Sequence, residues 1–447
     1  MQPTRSSRYA KKKRRRQILS TVALILAVLT AAVMIVAFAP GLLEQPKPEK
    51  TDSAQSSEGP KQSTPSVSTS SDTTGSTPAN STSTPSAAGG KRTPKPTVSG
   101  AAGSSVPSKE PQKDPQQEPD ATGNPGAFTD KDRIHLSFMG DVLLAGSVQK
   151  LLDQKGYDYP YQDVKSYIQQ ADFAIADLES PVTLRGDAQT KEYVYRANPA
   201  ALPSFKKAGF DLVTLANNHT IDYGEQGLLD TFDHLKANGI PYVGAGQDAD
   251  EAYKPVILKA KGISIAFLGF SRIVPNGSWK AGPNHPGVAE TYDYNKPVEA
   301  IKKAKAQADL VVVLPHWGIE RQDTPEPYQK ELARRYIDAG ADLVVGDHPH
   351  VVQGFEQYKG KWIAYSLGNF IFTTNDKPKT NDSMILQAAC TQKGECSIEV
   401  LPIFTRMAKP ERMQPDAAAA LFSRLSAVSY GAKLLKDGQV VSTTETH

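Results

Sequence analysis

Four short stretches in the C-terminal two thirds of the chain each place reactive polar residues just after an apolar, strand-like run. They are FMGDVLL with Asp141, IADLESP with Glu179, VTLANNHTIDYG with Asn218, His219 and Asp222, and VVGDHPH with His348 and His350. A fifth, VVVLPHWG, adds His316. Carboxylate, amide oxygen and imidazole together suit borderline divalent cations such as Mn, Fe or Zn, whereas an all-oxygen set would favour Mg or Ca. Two such ions about 3.5–4 Å apart would hold a phosphate or carbonyl oxygen and generate hydroxide near neutral pH. Each stretch alone has a plainer reading. Asp141 could cap a helix, Glu179 could pair with Arg185 or Arg196, the Asn-Asn-His segment could be turn chemistry, and His316 could be a packed core histidine. Two histidines flanking Pro349 are harder to place without partners. His135, His234 and His285 fall outside any such pattern and are read as structural.

Ligands in open α/β sheets collect at the carboxyl ends of strands. The six candidate ligands, Asp141, Glu179, Asn218, His316, His348 and His350, take that position on five separate predicted strands. IHLSFMG alternates apolar residues and stops at a glycine, so it reads as a strand. Helix-like and strand-like segments then alternate through ADFAIADLE, FDLVTLAN, GEQGLLDTFDHLKANG, ADLVVVLPH, PYQKELARRYIDAG and ADLVVGDH. A hairpin is expected to turn at Lys261-Gly262, and the last strands, from KGKWIAYSLGNFIF through SMILQAACTQKGECSIEVLPI, look antiparallel. These elements predict an α/β domain of about 280 residues, spanning 130–410, with a helix and tail over 411–447. Ala-Gly-X-Asp-Leu-Val occurs at 208–213 and 339–344, marking two equivalent helix-to-strand turns.

The rest of the chain differs in composition. Eight of the first 16 residues are Lys or Arg, with no acid among them. Residues 18–39 then run 22 positions without a charge, enough for a helix to cross a bilayer, which needs about 20. A basic head (1–17) before a transmembrane helix (18–39) predicts a cytoplasmic N-terminus and an extracellular domain. A cleaved signal peptide ending near Ala37-Phe38-Ala39 is the alternative. Residues 40–129, rich in Ser, Thr and Pro, cannot bury enough apolar surface to offset their chain entropy and are expected to form a disordered tether. Subtracting the eight basic residues of the head from the net charge of +3 leaves −5 for the remainder. That balance gives no electrostatic case for nucleic acid as a partner. The two cysteines, Cys390 and Cys396, lack a third sulfur for a structural zinc site; outside the cytoplasm a disulfide across a hairpin tip is expected, with two free thiols the alternative.

GDVLL, DLESP, ANNHTIDYGEQGLLDT, VGAG, HWG, GDHPHVVQGFE and YSLGNFIF, in this order across about residues 132–405, resemble the capsule-synthesis CapA proteins. That family is associated with poly-γ-glutamate capsule production, and many members are membrane-anchored with an external domain. It is similar in turn to calcineurin-like metallophosphoesterases, which implies a two-sheet sandwich flanked by helices. The resemblance implies roles motif by motif. Asp141 would bind a first metal, Glu179 would bridge two, Asn218, His316 and His348 would complete the second, and His350 would return to the first. His219 would be the general acid, oriented by Asp222. The phosphoesterase pattern departs at its first motif, Asp-x-His, because the histidine position is Leu143. Its bridging Gly-Asp appears as Leu178-Glu179. One metal, or two, therefore remains open. The function implied is synthesis or export of an anionic capsule polymer, together with membrane subunits. The alternatives are a secreted phosphoesterase acting on small phosphorylated substrates and a non-catalytic polymer-binding subunit.

Overall fold

The computed structural model describes residues 132–373 and 377–443. The basic head, the apolar span 18–39 and the tether lie outside these residues; among the described residues no helix is long and apolar enough to cross a membrane. The first half of the ordered chain runs β1 (Ile134–Val142), α1 (Ser147–Lys155), α2 (Lys165–Gln169), β2 (Phe173–Leu178), α3 (Leu202–Ala208), β3 (Leu212–Thr214), α4 (Gly224–Ala237) and β4 (Tyr242–Val243). Next come β5 (Ala245–Gly246), α5 (Ala249–Ala252), β6 (Val256–Ala260), β7 (Ile263–Ser271), β8 (Gly287–Val288), α6 (Asn295–Lys305), β9 (Leu310–His316), α7 (Pro327–Asp338) and β10 (Leu343–Val345). The chain then adds β11 (Phe355–Tyr358), β12 (Lys361–Ala364), β13 (Asn369–Ile371), β14 (Asp382–Cys390), β15 (Cys396–Arg406) and β16 (Lys409–Arg412). The segment after 410 holds the expected helix, α8 (Pro415–Ala427), and then a hairpin of β17 (Ala432–Leu434) and β18 (Gln439–Ser442), with β18 pairing with β15.

Two large sheets result. One has the order β17-β18-β15-β14-β1-β2-β3-β4, with β13 joined to β1 and β16 to β15; the other is β11-β12-β10-β9-β7-β6. Because successive strand residues point to opposite faces, β9 sends Leu310 and Val312 one way and Val311 and Val313 the other. Leu310 and Val312 meet Phe267, Leu343, Ile134, Leu136, Phe138 and Ile175 in a core between the sheets. Val311 and Val313 instead join Leu268, Phe270, Ile301 of α6 and Tyr336 of α7. The first sheet's other face packs Ala176 and Val213 against Val148, Phe205, Leu228 and Leu235 from α1, α3 and α4. Each fully buried large side chain contributes about 1.5–3 kcal/mol, so faces buried on both sides explain why ADLVVVL reads as a nearly continuous apolar run. The expected sandwich with helices outside is what forms.

Aspartates at strand entrances hold the parallel register. Asp172, Asp211, Asp309 and Asp342 each accept the backbone N–H of the neighbouring strand, from His135, Ala174, Ser264 and Val311, at 2.8–3.0 Å. Asp211 and Asp342 are the aspartates of the repeated Ala-Gly-X-Asp-Leu-Val turn. A one-residue slip would turn both apolar faces inside out, and each of these bonds opposes it. Cys390 and Cys396 pair across the β14–β15 hairpin end and form the disulfide expected there rather than two free thiols.

Two glycines let the backbone close around the strand ends. A Cβ on Gly140 would lie 1.9 Å from the carbonyl oxygen of Gly368, and one on Gly346 would lie 2.4 Å from Trp317 Nε1. Each glycine precedes an aspartate, Asp141 or Asp347. Gly140→Ala is therefore expected to destabilise the fold by about 1–3 kcal/mol, the usual cost of overpacking, and to displace Asp141. Thermal melting checks this; an unchanged melting temperature would show that the β1–β13 contact relaxes freely.

Candidate metal centre

The carboxyl ends of strands from both sheets converge. Asp141 lies in β1 and Asp177 in β2, with Glu179 just beyond it; His316 ends β9, while Asp347, His348 and His350 follow β10. All seven are buried. Contacts between the sheets fix them. His316 Nδ1 lies 2.7 Å from Asp177 Oδ2 and its Nε2 lies 2.8 Å from Asn218 Oδ1. His350 Nδ1 lies 3.0 Å from Asp141 Oδ2 and 2.9 Å from Asn369 Oδ1, and the His348 backbone N–H donates to Asp141 Oδ1 at 3.2 Å. The HPH loop is bent to do this, with positive φ at both His348 (102°) and His350 (56°). Non-glycine residues there cost about 1–3 kcal/mol and persist where their surroundings over-determine them.

Glu179 sits among these groups without a partner. Neither of its carboxylate oxygens has a hydrogen bond, and the same holds for Asp347 Oδ1 and His348 Nδ1. Its nearest basic atoms, His316 Nε2 at 3.8 Å and His350 Nε2 at 3.9 Å, are too far for hydrogen bonds. Burial, reinforced by Asp141 and Asp177, holds Glu179 well above the usual carboxylate range. Burial and the same two aspartates hold Asp347 high as well. Asp177 is raised by burial although His316 opposes the shift. His348 is pushed well below the usual imidazole value by burial and by the neighbouring His316 and His350. His350 goes the other way: burial would lower it, but its bond to Asp141 raises it.

Orphaned buried polar atoms in a native site call for an explanation, and a divalent cation supplies one. Donor atoms of Glu179, His348 and His350 lie within 4.8 Å of one another, and so do donor atoms of Asp141, Asp177 and His316. The residues present therefore fit a divalent metal. Asn218 borders the second group through its contact with His316. Leu143, where a histidine is missing, is buried and gives only its backbone N–H, to Ile371.

His219 and Asp222 lie on the turn after β3. His219 Nδ1 is 2.7 Å from Asp222 Oδ2, which fixes Nδ1 as the donor and leaves Nε2 free to exchange a proton. Burial lowers the pKa of His219, with the Asp222 bond pulling against it. Lys191 steadies this pair by donating to Asp222 Oδ1 at 2.8 Å and to the Asn218 carbonyl at 2.7 Å. The Tyr195 backbone N–H donates to Asp222 Oδ2.

All eight residues predicted from sequence are thus brought together. Arg185, a possible surface partner for Glu179, instead pairs with Asp230, and Arg196 lies over the Tyr223 ring. Reading the sequence missed Asp177, Asp347, Asn217, Asn369 and Lys191. Asp177 had a usable signal, since it is two residues before Glu179 and so on the same side of an extended chain. Asn217 donates to Asp177 Oδ1 at 2.7 Å and accepts the His219 backbone N–H at 3.1 Å, binding the β2 and β3 ends together. Lys191 sits in a loop without any motif.

The profile of the family described as bacterial capsule synthesis protein PGA_cap matches residues 135–374. The PGA biosynthesis protein CapA of Bacillus subtilis (strain 168) is 36% identical over 289 residues, covering 64% of this chain and 75% of that protein. The capsule biosynthesis protein CapA of Bacillus anthracis is 33% identical over 290 residues, covering 63% of this chain and 70% of that protein. Among solved structures, the NAD nucleotidase NadN of Haemophilus influenzae aligns at 12% identity with a TM-score of 0.38, over 68% of this chain and 65% of that one. With the family profile matched over more than half of its length, and these two relatives each covered over more than two thirds, the chain belongs to the bacterial capsule synthesis protein PGA_cap family.

Proposed function

We propose that the protein takes part in the synthesis or export of an anionic capsule polymer of the poly-γ-glutamate class. In this reading the folded domain stands outside the cell on a tether from one N-terminal membrane helix. The apolar span 18–39 behind a basic head supports the anchor, and similarity to the PGA biosynthesis protein CapA of Bacillus subtilis supports the polymer. Glu179 carries the chemistry. A carboxylate buried among other carboxylates, with both oxygens unpartnered, is built to meet a cation.

Asp141, Asp177, Glu179, Asn218, His316, His348 and His350 would hold one or two divalent ions, with Mn, Fe or Zn favoured by the mixed donors. When bound, the metal would polarise a carbonyl or phosphoryl oxygen and lower the pKa of water. Asp177 adds a carboxylate to the Asp141–His316 group. His219, oriented by Asp222, would move a proton to or from the group leaving or attacking at the ligand. The substrate would be an amide linkage of the polymer or a phosphorylated intermediate.

Metal analysis of the purified chain tests this centre, with near-stoichiometric Mn, Fe or Zn expected and loss of the metal in the His348→Ala, His350→Ala double variant. His219→Ala should keep its metal while losing about 10²- to 10⁴-fold in turnover of a γ-glutamate polymer. Failure to take up any metal would end the hydrolase reading. Turnover confined to a small phosphodiester would favour a plain phosphoesterase.

The metal-free protein should respond to pH from two sides. Glu179 and Asp347 are held above their ordinary values of 4.5 and 3.8, so the unfolded chain gives up those protons first. Their contribution to stability is present at low pH and is lost as the pH rises towards their folded values. His348 is held below 6.5, so the unfolded chain takes up that proton first and stability falls as the pH drops below this value. The metal-free melting temperature should therefore decline towards alkaline pH, with Glu179→Gln flattening that decline. A steady rise in melting temperature up to about pH 9 would contradict the placement of these groups. The anchor is tested by fractionating cells that express the full chain. Sedimentation with membranes is expected, with release on deletion of residues 1–39; a full chain found wholly in the soluble fraction would refute it.

A further inference from the structure

A belt of cations and aromatic rings runs from the His219 turn to the loop after His316, and among the described residues one of those cations has no ion-pair partner. At one end, Lys191 is tied to the His219 turn and lies over the Trp279 ring at 5.4 Å. Lys280, the next residue after Trp279, lies over the Tyr292 ring at 4.7 Å. Arg272 lies over the same ring at 4.3 Å and over the Tyr328 ring at 5.3 Å. At the other end, the Tyr328 hydroxyl accepts the Gly318 N–H at 2.7 Å, two residues beyond His316. Both ends of the belt are thus fixed to loops that carry site residues.

The three cations differ in their partners. Lys191 pairs with Asp222 at 2.8 Å and Lys280 with Glu290 at 3.6 Å. Among the described residues no carboxylate pairs with Arg272; its guanidinium has one long bond, Nη1 to the Thr291 carbonyl at 3.4 Å. Its position is nevertheless fixed. Arg272 is the first residue past β7, its backbone N–H donates to the His316 carbonyl at 2.8 Å, and its side chain is half-buried between two tyrosine rings. An arginine stacked on aromatic faces has already lost rotamer freedom, and its planar fork matches carboxylate or phosphate oxygens in a bidentate way. An unpaired guanidinium pre-set in this manner, on the residue whose backbone N–H binds the His316 carbonyl, is arranged for an anion that arrives with the ligand.

The geometry points to Arg272 as a substrate-binding residue that grips an anionic group of the ligand while the neighbouring linkage lies at the metal centre. For a carboxylate-bearing polymer, the group gripped is the side carboxylate of a residue near the reacting linkage. This assignment rests on the proposed function for its choice of polymer, but the unpaired guanidinium is independent of it. Selectivity follows from the same contact, because a neutral analogue would leave the guanidinium without a partner.

The test is binding of a short γ-linked glutamate oligomer to the full, metal-loaded chain, with inorganic phosphate and an uncharged γ-linked glutamine oligomer as comparison probes. Arg272→Gln should weaken the glutamate oligomer by about ten- to a hundredfold, the range for losing a charge-assisted contact. It should leave metal content unchanged and have no effect on any binding of the glutamine oligomer. Arg272→Lys should recover only part of the loss, since an ammonium cannot reproduce the bidentate fork. Equal affinity of Arg272→Gln and the unsubstituted protein for the glutamate oligomer would overturn the assignment and leave the polymer reading standing. Arg272-dependent binding of phosphate, with no binding of the oligomer, would support the anion grip and defeat the polymer reading.

Discussion

Four carboxyl groups, Asp141, Asp177, Glu179 and Asp347, are buried together where strand ends from the two sheets meet. Taking like charges out of water costs several kcal/mol per ion even after relaxation, more than any single side chain of the surrounding core returns. Imidazoles offset part of this: His316 serves Asp177 and His350 serves Asp141. Glu179 and one oxygen of Asp347 are left over. A site that bears this cost without a complete internal remedy is organised around a positive charge that the protein itself does not supply, and divalent metal is the charge that fits its donors.

The fold holds this arrangement rigidly. Parallel strands with apolar faces on both sides cannot shift register without exposing a core, and aspartates at the strand entrances oppose any slip. With the strands fixed at their beginnings and packed along their lengths, their far ends have little freedom, and the site residues are placed there. Glycines 140 and 346 let those ends approach to distances that a side chain would forbid. The strained HPH loop is then held from both sides, by Asp141 on one sheet and by the β10 exit on the other.

Much of the site was legible in the sequence because polar residues after apolar runs stand out against their surroundings. Asp141, Glu179, Asn218, His219, Asp222, His316, His348 and His350 were visible in this way, and alternating helix and strand patterns gave the α/β class. Strand order was not legible. That β1 lies between β2 and β14, or that β13 returns to pair with β1, depends on contacts between residues more than 200 positions apart, which periodicity does not encode. The two-sheet sandwich came from resemblance to a family rather than from pattern. Asp177 and Asp347 were hidden by standing next to more conspicuous residues, and Arg272 and Lys191 by standing in loops whose meaning is set only by what folds beside them. The disulfide was one of two readings of the cysteine pair, and the structure selects it over free thiols.

The central claim is that the buried carboxylate–imidazole cluster is a metal centre with Glu179 in its middle. Anomalous-scattering maps from crystals grown with manganese test it most directly. The account predicts one or two peaks within bonding distance of Glu179, lying between the His348–His350 side and the Asp141–His316 side. A cluster without any anomalous peak, in which Glu179 hydrogen-bonds to a neighbouring side chain, would contradict it.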